Sequence, residues 1–123
     1  GLHFQKAPQA QSKLVRVVFG SIWDVAVDIR PDSSTFKQFA TAELSADNHQ
    51  QLFIPKGFAH GFIVTSEIAI VQYKTDDFYH PHSDAGIHPY DQQINIPWPL
   101  LRDEHQFSAK DQNLPKLSQM NDS

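Results

Sequence analysis

Residues 22–29 read Ile22-Trp23-Asp24-Val25-Ala26-Val27-Asp28-Ile29, and this octet decides the fold. Trp23, Val25, Val27 and Ile29 form one alternating set, all apolar. Ile22, Asp24, Ala26 and Asp28 form the other. Successive side chains of an extended chain point to opposite faces. A period of two therefore predicts a strand with one apolar face and one face carrying two carboxylates.

Working outward, residues 14–19 form a second run rich in β-branched side chains, and Gly20-Ser21 behind it reads as a hairpin turn. Residues 36–44 alternate less cleanly. Residues 51–54 stop at Pro55, and two more short apolar runs follow at 62–64 and 68–73. Turn signals separate the runs: Arg30-Pro31-Asp32-Ser33-Ser34, Ala46-Asp47-Asn48 and Pro55-Lys56-Gly57. Short strands spaced by about 8–12 residues predict an all-β antiparallel sandwich or barrel. From Asp76 onward the chain is richer in Pro, His and Asp and is expected to be mostly loop. Beyond Trp98-Pro99 only short helical turns are expected, and residues 118–123 read as a polar tail.

The 123 residues fit one domain, with no internal repeat and no linker. A net charge of -4 argues against a nucleic-acid partner, which calls for a basic face. A few placed lysines still suffice to hold an anionic ligand. There are no cysteines, so disulfides and thiolate metal sites are out. No apolar run approaches the roughly 18 residues of a membrane helix. No membrane partner is expected, and the cytoplasm is the default location.

Several side chains invite chemistry. His3 stands opposite in parity to Leu2 and Phe4. It is either a satisfied core or surface histidine, or a general base, since imidazole titrates near neutral pH. Residues 54–62, "IPKGFAHGF", put a tight turn before His60. Their Pro-x-Gly-x-x-His spacing resembles the second motif of the cupin superfamily, whose members are double-stranded β-helix jelly rolls. Many cupins bind metal through that histidine, a His-x-His pair and a Glu. The earlier region here has Asp24 and Asp28 but no His-x-His, so no metal is expected. His80-Pro81-His82 reads as a solvated loop. Tyr73 closes an apolar strand and is either a core tyrosine with its hydroxyl at the rim or a proton donor into a barrel. Lys74 should face the other way.

Taken in order, "GLHFQ" (1–5), "KLVRVVFG" (13–20), "DVAVDIR" (24–30), "LSADNHQQLFIPKGFAHGF" (44–62), "QYKTDDFY" (72–79), "WP" (98–99) and "SAKD" (108–111) resemble the dTDP-4-dehydrorhamnose 3,5-epimerase family. The resemblance runs almost end to end and implies a cupin-type jelly roll, a homodimer, no metal and no organic cofactor. It implies conversion of dTDP-4-dehydro-6-deoxy-D-glucose to dTDP-4-dehydro-L-rhamnose by proton abstraction and return at C3 and C5. It assigns His3 as general base, Asp111 as its carboxylate partner and Tyr73 as proton donor. It assigns Lys13, His60, Tyr79 and Lys110 to substrate binding, with Tyr79 stacked on the thymine. Asp84 falls where the family has a nucleotide-binding Glu. The family carries strands and an Arg ahead of the Gly-Leu-His motif, so residues 1–123 are expected to be a single cupin-like domain truncated at its N-terminus. Three alternatives are a one-centre epimerase or ketoisomerase, a non-catalytic cupin that holds dTDP-sugars, and, more distantly, a metal-dependent oxygenase.

Overall fold

The computed structural model describes residues 1–99 and 113–119. In chain order the strands are β1 (Leu2–Gln5), β2 (Lys13–Phe19), β3 (Ser21–Asp28), β4 (Phe39–Ser45), β5 (Gln51–Ile54), β6 (Phe58–Val64), β7 (Ile70–Thr75) and β8 (Asp84–Ile87). Single 3₁₀ turns lie at Pro81–Ser83 and Leu117–Gln119. The strands pair antiparallel in two sheets, ordered β4-β3-β6-β1-β8 and β5-β2-β7. The sheets face each other as a cupin-type jelly roll.

The octet at 22–29 supplies β3, paired on both sides, by β4 and by β6. Its apolar set does not face the opposite sheet. Val25 and Val27 pack with Leu2, Ala59 and Ile87 on the outer side, under a cover of Ile94, Ile96 and Trp98. Trp23 and Trp98 meet with ring centroids 5.5 Å apart, and the Trp98 indole donates to the Pro89 carbonyl at 2.6 Å. Asp91 fastens the cover: one carboxylate oxygen accepts the amides of Gln93 and Ile94, the other that of Leu117. Each fully buried Leu, Ile or Val here contributes about 1.5–3 kcal/mol. Both faces of β3 are thus covered, and its carboxylate face is the one that looks into the barrel. One end of the barrel is filled by Val15, Val17, Ile22, Ala26, Leu44 and Ile54. The other end is polar.

Gly20-Ser21 is not a hairpin turn. The strands on either side of it, β2 and β3, belong to different sheets. Gly20 has φ +76°, and a Cβ there would stand 2.5 Å from Ser66 Oγ and collide with the Ile68 carbonyl. The corner is pinned from the β6–β7 connection: Ser21 donates its amide to Ser66 Oγ at 3.0 Å, and its hydroxyl bonds that of Thr65 at 2.6 Å. The loop expected after Asp76 also contains a strand. Asp84–Ile87 has no alternation to announce it, and it is made a strand by pairing with β1 in the register Leu2↔Ile87, His3↔Gly86, Gln5↔Asp84.

Asp28, at the end of β3, is 1% exposed. It accepts bonds from the Arg30 amide and guanidinium and from the hydroxyls of Ser33 and Thr35. The Arg30 guanidinium, helped by those two hydroxyls, holds its carboxyl well below the usual carboxylate range. Arg30 also lies 5.1 Å from the centre of the Phe58 ring and fills the space a Cβ on Gly57 would need. The clamp therefore fixes the β3–β4 turn and the start of β6 together.

Candidate active site

A cavity of about 560 Å³ opens between the sheets at the polar end of the barrel. His3 reaches it from β1, and His60 sits directly across from His3 on β6. Directly paired residues present their side chains on the same face, so the two imidazoles stand side by side. Lys13 (β2) and Tyr73 (β7) line the cavity from the three-stranded sheet. Val15 is the residue paired with Tyr73, which places Lys13 one alternation away; its Nζ lies 5.8 Å from the centre of the phenol ring. Lys74 pairs with Leu14, on the opposite face as its parity requires. Phe58 and Phe62 supply apolar wall. Tyr79 and Asp84 complete the mouth.

Six of the side chains singled out in the sequence therefore border one space: His3, Lys13, His60, Tyr73, Tyr79 and Asp84. Asp84 does so from a strand rather than from a loop. Lys110 and Asp111 lie outside the described residues. Leu114 packs against Gly86, the residue paired with His3; a Cβ on Gly86 would come within 2.8 Å of it. His80 and His82 do not line the cavity. Among the described residues no group of three metal-ligating side chains converges.

The sequence presents Asp24 only as one of two carboxylates on a strand face. It is fully buried, and its Oδ1 is hydrogen-bonded to Nε2 of the buried His60. A carboxylate only accepts, so this bond assigns the ring proton to Nε2. Among the described residues Asp24 Oδ2 has no hydrogen-bond partner. The signal that could have found the pair is parity: a carboxylate on the inward face of a strand flanked on both sides requires a polar partner. Pairing Ala26 with His60 and Asp24 with Phe62 puts that partner on the diagonal.

Burial lowers the pKa of Lys13 from its ordinary value, and the nearby carboxylates of Asp84 and Asp24 partly oppose that. The site thus holds an ammonium on one wall, a buried carboxylate–imidazole pair on the other, and a second imidazole and a phenol facing across the gap.

Fold and site together define a cupin-like barrel with acid–base groups in its interior. The family described as dTDP-4-dehydrorhamnose 3,5-epimerase matches residues 1–119. The chain belongs to that family. It is 60% identical over 120 residues to the dTDP-4-dehydrorhamnose 3,5-epimerase of Escherichia coli, covering 98% of this chain and 64% of that protein. It superposes with TM-score 0.93 and 48% identity on the dTDP-6-deoxy-D-glucose-3,5-epimerase of Legionella pneumophila, solved in complex with dTDP-4-keto-L-rhamnose, over 98% of this chain and 63% of that one. The dTDP-4-dehydrorhamnose 3,5-epimerase of Bacillus anthracis, solved with TDP and pyrophosphate, gives TM-score 0.89 at 51% identity over 94% of this chain and 65% of that one. The chain spans somewhat under two thirds of the length of these relatives.

Proposed function

We propose that this barrel converts dTDP-4-dehydro-6-deoxy-D-glucose to dTDP-4-dehydro-L-rhamnose by inverting C3 and C5. The observation that carries the reading is that His3 and Tyr73 border one cavity from opposite sheets. The C4 ketone of such a sugar acidifies the hydrogens on both neighbouring carbons. His3 takes the proton from one face; the C–H electron pair becomes an enolate with its charge on the C4 oxygen. Tyr73 gives its O–H proton to the same carbon from the other face, and the ketone reforms with that centre inverted. The proton gained by His3 and lost by Tyr73 is exchanged with water before the second centre reacts. The substrate is its own electron sink, so atoms and electrons balance without a redox partner.

The remaining groups take supporting roles. The Lys13 ammonium faces the developing enolate oxygen. Asp111 is the carboxylate that orients His3. His60, oriented by Asp24, offers its other ring nitrogen to the sugar. Tyr79 stacks on the thymine, and Asp84 and Lys110 contact the nucleotide. A volume of about 560 Å³ falls within the roughly 300–1,000 Å³ of small-molecule sites. A homodimer is supported by exposed Phe53 and Ile70 on the face of the three-stranded sheet turned away from the cavity.

The test is incubation with dTDP-4-keto-6-deoxyglucose in D₂O. Deuterium at both C3 and C5 is the expected result. Label at C3 alone would make this a one-centre epimerase, and binding of dTDP with no label would make it a binding module.

A further inference from the structure

We propose that Gln5 is a positioning residue that fixes Tyr79 at the mouth of the cavity, an inference that rests on Tyr79 meeting the nucleoside base. Gln5 lies two residues after His3 on the same strand face and is only 8% exposed. Its carboxamide is fully engaged. Oε1 accepts the amide of His80 at 2.7 Å, and Nε2 donates to the Gln9 carbonyl at 2.6 Å, with the Phe78 carbonyl 3.5 Å away. Phe78 and His80 flank Tyr79. The side chain of Gln5 thus meets the main chain on either side of Tyr79 much as a neighbouring strand would.

That grip matters because, among the described residues, the ring is not held by packing. Tyr79 is 62% exposed and Phe78 84%, so neither aromatic is located by packing of its own side chain. Local bonds add to that grip, the Phe78 amide to Asp77 Oδ1 and the Ser83 amide to the His80 carbonyl, and the flanks are fastened by Gln11 Nε2 to the Asp77 carbonyl, the Ser12 amide to Asp76 and the Ser83 hydroxyl to Gln9. An aromatic ring that must stack on a planar base loses affinity if its backbone wanders, because binding then has to order it. A carboxamide presents a donor and an acceptor side by side. Leu offers neither, and Glu replaces the donor with a second acceptor 2.6 Å from a carbonyl oxygen.

The experiment compares wild type, Gln5→Leu, Gln5→Glu, Tyr79→Ala and the Gln5→Leu/Tyr79→Ala double variant, each checked for its melting temperature. Calorimetry gives Kd for dTDP; turnover of the dTDP-keto-sugar gives KM and kcat. Both Gln5 variants should raise Kd and KM about tenfold, the cost of roughly one lost buried hydrogen bond, with kcat falling far less. In the Tyr79→Ala background Gln5→Leu should add nothing. Full additivity, or a fall in kcat with Kd unchanged, overturns the proposal. Amide exchange on the unmodified protein supplies a second readout that no variant can spoil: the His80 amide should be protected, and exchange at the open-chain rate would overturn the proposal. Should wild type incorporate no deuterium yet bind dTDP, the epimerase reading fails while the Gln5 test still runs on Kd.

Discussion

Asp24 and Asp28 sit four residues apart on the inward face of one strand, and both are almost wholly withdrawn from water. Asp28 has each oxygen saturated by Arg30, Ser33, Thr35 and a backbone amide. Asp24 has one oxygen on His60, and its other oxygen has no partner among the described residues. An unmet buried acceptor costs about 1–3 kcal/mol. Of the two, Asp24 is the one bonded to a side chain that lines the cavity, His60. Asp28 thus ties turns together, whereas Asp24 stands behind the cavity-lining His60, though the sequence writes the two alike.

The sharpest way to break this contrast is to neutralise each carboxylate in turn. Asp24→Asn should cut kcat by roughly 10²-fold or more, because a neutral carboxamide can present a donor as well as an acceptor and no longer fixes the ring proton of His60 on Nε2. Asp28→Asn should leave kcat at the wild-type value. Equal losses would erase the distinction. Stability should run the other way. Asp28→Asn removes the charge that Arg30 pairs with and should lower unfolding free energy by about 3 kcal/mol in urea titrations. Asp24→Asn should change it by about 1 kcal/mol at most, since the wild-type site is already short of a donor.

Acid sharpens the same point with a smaller effect. The Asp28 carboxyl is depressed below its open-chain value of about 3.9. Its contribution is present above that pH and fades as pH falls toward the folded-state value. Urea midpoints of wild type should therefore drop between about pH 4 and pH 2 more steeply than those of Asp28→Asn. The smallest effect concerns Lys13. Its ammonium is held below the ordinary lysine range by burial, against the pull of Asp84 and Asp24. Binding that depends on that charge is present at low pH and lost as pH rises through the Lys13 pKa. Asp84→Asn removes a raising influence, so the alkaline loss of substrate binding should move to lower pH.

The strands were legible because β3, β2 and β7 carry alternation or β-branched runs of their own. Their allocation to sheets was not. Gly20 resembles a hairpin glycine, yet the contacts that turn it into a corner come from Ser66 and Ile68, nearly fifty residues away. β8 was invisible because Asp84–Ile87 owes its extension to β1. The orientation of β3 was also hidden: an apolar face suggests the interior, but here it meets a cover built from Ile94, Ile96 and Trp98. As for the site, His3, Lys13, Tyr73 and Tyr79 were named from family resemblance. Residue patterning alone leaves His3 and Tyr73 an alternative structural role and does not single out Lys13 or Tyr79. The Asp24–His60 pair needed the register of β3 against β6, which no spacing along the chain encodes.

The central claim is that an imidazole and a phenol act on a keto-sugar from opposite walls of one cavity. The most direct measurement is the fate of the sugar with Tyr73→Phe in D₂O. That variant keeps the base on one wall and removes the acid from the other. The account predicts that deuterium still enters next to the ketone, returned from the His3 face, while inversion at that carbon is largely lost. Inversion at the wild-type rate in Tyr73→Phe would contradict it.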